Sequence, residues 1–173
     1  MEKVNNTVIL GFSGGVDSSV CADLLSRQGY NVVGLYLDNA DERARDFALS
    51  TSDFMGIELI IRDVHADLDR LVCTPFAQSY IKGETPNPCI LCNPALKFKA
   101  LCQEADRRGA YHIATGHYAK KDGNKILKGH PENDQSYMLG RLTKEQAERL
   151  LLPLGEYPKT QVRQMAAELN LPT

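Results

Sequence analysis

A doubly wound parallel α/β sheet with flanking helices is the fold class this sequence predicts, and three observations predict it. Short apolar runs alternate with helical patterns at βαβ rhythm, which implies parallel strands joined by right-handed crossovers. A glycine- and hydroxyl-rich turn follows the first run and opens the first helix, the usual ligand position in such sheets. Finally, 173 residues with 43% hydrophobic content suffice to bury one sizeable core.

The elements follow in chain order. Residues 8–12 read as a strand, and Val16, Val20, Cys21, Leu24 and Leu25 recur at helical spacing over 16–28, with Gly29 as the stop. Residues 31–37 form a second expected strand, 40–55 a helix ended by Gly56, 57–61 a third strand, and 66–81 a further helix. The stretch KGETPNPCILCNP breaks the rhythm, and its prolines predict an irregular loop over 83–94. A helix is expected at 95–107 and a core strand at 111–115, then a hairpin turned at Asp122-Gly123-Asn124. Helices at 143–151 and 159–169 close the series, each with a threonine or proline near its start.

Bulk properties exclude several classes. A formal net charge of −2 gives no global basic field, so a nucleic-acid partner would need a local patch. No run of about 18 apolar residues suggests a membrane span, and MEKVNNTVILGF lacks the apolar region of a secretory signal. The cytoplasm is the expected location. Five cysteines in a reducing compartment are expected to be free, metal-bound or catalytic.

Chemistry concentrates in a few stretches. In Ser13-Gly14-Gly15-Val16-Asp17-Ser18-Ser19 the glycines let a ligand approach the main chain, and the N–H groups form an anion nest at a helix N-terminus. Ser13, Ser18 and Ser19 add hydroxyl donors, while Asp17 suits Mg²⁺ on the phosphates or the helix dipole. A plain glycine turn with a capped helix is the bland alternative. Neither G-x-x-x-x-G-K-[ST] nor G-x-G-x-x-G is present.

The prolines around Cys89-x-x-Cys92 reduce the loop's freedom, and such a pair can bind metal, do redox chemistry or carry sulfur. Cys21, Cys73 and Cys102 read instead as packing residues. His117, in Thr115-Gly116-His117-Tyr118, sits at the end of the expected strand as a phosphate contact or a strand-end cap. Leu37 ends the second strand, and on residue chemistry alone Asp134-Gln135-Ser136-Tyr137 reads as an ordinary helix cap. Lys82, Lys97, Lys99, Arg107 and Arg108 form a local basic cluster, either solvated surface or an RNA phosphate contact.

The septet resembles the phosphate loop of the N-type ATP pyrophosphatases. SGGVDSSV, TPNPCILCNPALKFKAL, ATGHYA, NDQSYMLGRL and LPLGEYPKTQVRQMAAELNLPT, in that order, resemble successive signatures of the tRNA-specific 2-thiouridylase family. The resemblance implies an adenine nucleotide alpha hydrolase-like (HUP) fold and ATP-dependent replacement of a wobble uridine's C2 oxygen by sulfur, with AMP and pyrophosphate as products. It implies ATP contacts at Gly11, Ser13, Gly14, Gly15, Asp17, Ser18, Ser19, Leu37, Gly116 and His117. Cys92, Cys89 and Asp17 would be catalytic, and Asn93, Lys97, Asp134, Gln135, Ser136 and Tyr137 would face the target base. Mg²⁺ and a sulfur donor, such as a cysteine desulfurase or sulfur-relay protein, are the implied partners besides tRNA.

Cys89 stands where many family members have aspartate, so a [4Fe–4S] cluster on Cys89, Cys92 and a third ligand competes with a cysteine persulfide. The family's second catalytic cysteine lies beyond Thr173. The sequence therefore reads as an ATP pyrophosphatase domain over 1–140 and a helical extension over 141–173, the start of a tRNA-binding region, with a short natural relative as the alternative. Other expected functions are a sulfurtransferase or adenylating ligase with a small-molecule acceptor, and a non-catalytic ATP- or metal-binding module.

Overall fold

The computed structural model describes residues 6–171. Five parallel strands form the central sheet: β1 (Thr7–Gly11), β2 (Asn31–Asp38), β3 (Glu58–Asp63), β4 (His112–Ala114) and, further on, β7 (Leu150–Leu151). Their order is β3-β2-β1-β4-β7. The chain winds outward from β1 to β3, returns to the other side of β1 at β4, and continues to β7. The direction of winding therefore reverses between β1 and β4, which opens a crevice beyond their carboxyl ends.

Side-chain alternation along β1 explains why helices are needed on both faces. Val8 and Leu10 pack with Val20, Cys21 and Leu25 of α1 (Val16–Arg27) and with Val162 and Ala166 of α8 (Lys159–Glu168). Ile9 points the other way, into a second core with Phe98, Leu101 and Ala105 of α6 (Phe98–Arg107). Helix α2 (Glu42–Met55) is capped by the Asp41 carboxylate, which accepts from the Ala44 N–H, and ends at Gly56 in the left-handed region.

The stretch expected as a loop over 83–94 is helical from residue 88. Asn87 accepts from the Cys89 N–H and Pro88 takes the first helical position, where a missing N–H costs nothing. Helix α5 (Pro88–Cys92) then runs through a wide π turn (Asn93–Lys97) into α6, the Phe98 N–H donating to the Asn93 carbonyl five residues back. The same device joins α3 (His65–Leu68) to α4 (Thr74–Ile81) through Asp69–Cys73. Pro75 and Pro94 would each clash with the carbonyl four residues earlier in a regular helix, and a wide turn at each place relieves the conflict.

After β4, the hairpin of β5 (Ala119–Asp122) and β6 (Lys125–Lys128) turns at Gly123 (φ +57°) and Asn124, as its sequence predicts. The segment 141–173, expected as helical, also supplies a strand. Helix α7 (Lys144–Arg149) stops two residues earlier than expected because Leu150 and Leu151 pair with Ile113 and Ala114. Arg149 is almost completely buried, donating to the Tyr111 carbonyl (2.9 Å) and the Ala110 carbonyl (3.3 Å) and pairing with Asp106 (2.7 Å) and Glu145 (3.2 Å). It clamps α7 to the turn that enters β4.

Arg149→Leu should therefore lower unfolding free energy by about 2 kcal/mol, because two carbonyls lose their charged donor. Urea denaturation followed by circular dichroism measures this, and an unchanged midpoint would refute the clamp.

Candidate active site

The crevice between the ends of β1 and β4 has a volume of about 310 Å³. Its walls come from four places: residues 11–13, 17 and 18 after β1, residues 35–37 of β2, Lys97 and Leu101, and residues 115–117 after β4. Gly11, Ser13, Asp17, Ser18, Leu37, Lys97, Gly116 and His117 are thus brought together, although they are spread over more than a hundred positions in the chain.

The loop after β1 is held by its own hydroxyls. Ser18 Oγ donates to the Gly15 carbonyl (3.0 Å) and accepts from the Ser13 N–H (3.3 Å), while Ser19 Oγ donates to the Gly14 carbonyl (3.2 Å). Ser19 is completely buried, so its part here is to shape the loop. Gly14 has φ +76°, and a Cβ on it would stand 2.8 Å from the Ala48 Cα of α2. Only glycine meets both conditions. Gly15 caps α1 without a side-chain bond, which leaves the first N–H groups of that helix free of intrahelical acceptors.

Asp17 carries a partner that sequence reasoning missed. Lys159 Nζ lies 2.5 Å from each carboxylate oxygen, and the Tyr118 hydroxyl donates to Oδ1 at 2.7 Å. The lysine begins α8, 142 positions away, and no local pattern marks it; only the packing of α8 on α1 joins the two. Burial, and then the bond to Asp17, pushes the Tyr118 phenol well above its ordinary range. Gly116 lies close under Asp17, where a Cβ would stand 3.3 Å from the Asp17 Cβ.

His117 is buried, its Nδ1 2.9 Å from Thr115 Oγ1 and its ring stacked near Phe98. Burial and the nearby Lys97 charge push its pKa down to about 3, so the imidazole is neutral at physiological pH and offers a hydrogen bond rather than a charge. Burial also lowers the Lys97 ammonium and raises the half-buried Cys92 thiol, each partly opposed by the other. The wide turn accounts for this proximity, because it brings residues five apart onto one face.

The remaining expected residues lie outside the crevice lining. Cys89 is exposed at the start of α5, and buried Asn93 donates to the Met138 carbonyl (3.0 Å). The Asp134 carboxylate accepts from the N–H groups of Gly129 (2.7 Å) and Ser136 (3.2 Å) and from the Ser136 hydroxyl (2.9 Å). Gln135 bonds the Tyr118 backbone through both its side-chain oxygen and its own N–H. Tyr137 is exposed.

One expectation needs correction. Cys73, read as packing, is exposed, because the turn that carries it lies on the surface. Within the basic cluster, Arg107 and Arg108 both pair with Glu104, and Arg108 also pairs with Glu58, while the Arg107 side chain stays largely exposed. A metal cluster requires a third ligand beside Cys89 and Cys92. Among the described residues no three His, Cys, Asp or Glu side chains are placed to share a metal ion, so these residues supply at most the two thiols of such a cluster.

Residues 6–173 match the family model described as the tRNA methyl transferase HUP domain. The chain belongs to that family. Among curated relatives, the tRNA-specific 2-thiouridylase MnmA 1 of Clostridium tetani is 41% identical over 99% of this chain and 52% of the relative. The MnmA of Neisseria gonorrhoeae is 43% identical over 100% of this chain and 52% of the relative. The HUP domain chain thus spans about half the length of the curated relatives it matches.

Solved structures show the same fold at low identity. One is described as a predicted subunit of tRNA methyltransferase from Methanocaldococcus jannaschii (TM-score 0.59, 18% identity, 94% of this chain and 74% of that one). Another is the NH3-dependent NAD synthetase of Campylobacter jejuni (TM-score 0.59, 20% identity, 98% and 66%). Among the described residues, no helix is long and apolar enough to cross a membrane.

The His117 environment yields a pH prediction. An unfolded imidazole takes its proton near pH 6.5 and the folded one only near pH 3, so His117 removes stability as pH falls through that window. Its ring resonances in NMR spectra should stay flat from pH 8 to about 4.5. A titration centred near 6.5 would contradict the buried, neutral assignment.

Proposed function

We propose that this HUP domain activates a tRNA uridine with ATP and passes sulfur to it, the reaction named by its 2-thiouridylase relatives. The observation that carries the reading is the meeting, in one crevice, of the glycine-serine loop, the end of β2 and residues 115–117, with the Cys92-bearing helix entering through Lys97.

In this reading ATP enters as its magnesium complex. The free N–H groups at the start of α1 receive the outer phosphates, and the positive helix end favours their charge. Adenine lies against Leu37, with Gly11 and Gly116 allowing close approach of the backbone. Lys159 neutralises Asp17, so the carboxylate does not repel the triphosphate. His117, uncharged, donates to or accepts from a phosphoryl or substrate oxygen without adding charge. The uridine C2 oxygen attacks the α-phosphorus and pyrophosphate leaves, converting a poor leaving group into an adenylate.

Sulfur follows from a persulfide on Cys92, loaded by a donor such as a cysteine desulfurase or sulfur-relay protein. The terminal sulfur attacks C2 and AMP departs. A second thiol then attacks Cys92 Sγ, leaving the sulfur on the base and a protein disulfide. Cys89, exposed and one helical turn before Cys92, is suited to this second role. Asp134, Gln135, Ser136 and Tyr137 belong to the surface on which the unstacked base is received, with Asn93 buried beneath and bonded to the Met138 carbonyl.

Pyrophosphate release in the presence of unmodified tRNA tests the first half. Asp17→Asn should reduce it by about a hundredfold or more, since the amide no longer fixes Lys159 and Tyr118 in place around the phosphate loop. Full activity would remove Asp17 from the mechanism, and release triggered only by a small-molecule acceptor would replace tRNA as the substrate. For the second half, Cys92→Ser should stop thiolation of the tRNA, assayed by mass spectrometry of its nucleosides, while pyrophosphate release continues. Thiolation by that variant would exclude Cys92 as the sulfur carrier.

A further inference from the structure

The charges lining the crevice do not balance. Of the thirteen residues around it only Asp17 and Lys97 have acidic or strongly basic side chains, and Asp17 is already paired with Lys159. His117 stays neutral. Lys97 has no carboxylate and no hydrogen-bond acceptor among the described residues. The titratable groups nearest it are the thiols of Cys92 and Cys89 and the neutral imidazole of His117. A cation withdrawn from water without a counter-ion is costly, and native proteins keep such groups where a ligand supplies the missing charge.

Position narrows which charge that is. The anion nest of α1 lies on the β1 side of the crevice and suits the departing pyrophosphate. Lys97 comes from the opposite wall, with Leu101, and its wide turn places it next to Cys92. Building Lys97 into the crevice depends on that turn, whose Phe98-to-Asn93 bond brings residues five apart onto a common face.

We propose that Lys97 is the binding residue for the nucleotide's innermost phosphate, the one left on the ribose once pyrophosphate has gone. The inference rests on the function proposed above and deepens it. When sulfur bonds to C2, the C2–O bond breaks and its electron pair goes to the phosphate oxygen of AMP. The Lys97 ammonium offsets one of the two charges on the phosphate dianion that results, on the side from which sulfur arrives. Lys97 thereby links the two half-reactions: it retains the adenylate after the first and stabilises the leaving group in the second.

Calorimetric titration of AMP, adenosine and inorganic pyrophosphate into the chain and its Lys97→Met and Lys97→Arg variants separates this role from a structural one. The native chain should prefer AMP to adenosine. Lys97→Met should lose about tenfold or more in AMP affinity, as expected for one charge-assisted hydrogen bond, with adenosine and pyrophosphate affinities unchanged. Lys97→Arg should recover most of the loss, and thermal unfolding of both variants should match the native chain. Unchanged AMP binding in Lys97→Met, or equal losses for AMP and adenosine, would overturn the inference while leaving the proposed function intact. Loss confined to pyrophosphate would assign the lysine to the outer phosphates and overturn it equally. If the native chain binds none of the three, the proposed function fails together with the inference.

Discussion

The Asp17 carboxylate sits in the first turn of α1, at the positive end of that helix, where a triphosphate would also be drawn. Left alone it would occupy the field meant for the ligand. Lys159 and Tyr118 prevent this by binding it from α8 and from the segment after β4. The contact joins three stretches that are far apart in the chain, and it forms only when α8 packs on α1 over the core of Val162 and Ala166. The shape of the loop, the charge of the crevice and the docking of the last helix thus share one ion pair.

A second constraint comes from proline. Pro94 cannot donate to the helix that carries Cys92, and the turn widens around it. The irregularity is what lets one helix serve two purposes. Its first turn presents the Cys89–Cys92 pair, and its continuation places Lys97 and Leu101 against the nucleotide crevice. A regular helix from 88 to 107 would separate these faces. The π turn at Asp69–Cys73 packs against α5, so the two widened helices support each other beside the cysteines.

Much of this was legible beforehand, for physical reasons that also explain the failures. Buried parallel strands are short apolar runs, so β1 to β4 declared themselves, and the glycines of residues 14 and 15 marked the loop because few other residues adopt its conformation. The prolines of 83–94 predict a loop, yet the chain is helical from residue 88. Pro88 stands where a helix tolerates proline, and Pro94 is absorbed by a wider turn. Leu150 and Leu151 form a strand too short for any periodicity to reveal, and their place is set by the open edge of β4. The pairing of Arg108 with Glu58, fifty positions away, has no local signal and forms only through the fold. Lys159 carried no signal, since its partner lies in another motif. The crevice-lining part of the site was readable from local chemistry, while its charge balance required three dimensions.

Hydrogen–deuterium exchange with and without saturating ATP and magnesium examines the central claim most directly, namely that the loop after β1 and the neighbouring strand ends hold a nucleotide. Peptides covering residues 13–19, 35–37 and 115–117 should exchange markedly more slowly with ATP present, because the free N–H groups of α1 gain acceptors and the crevice closes to water. Exchange that is unaltered at those three segments, or slowed only elsewhere on the surface, would contradict the account.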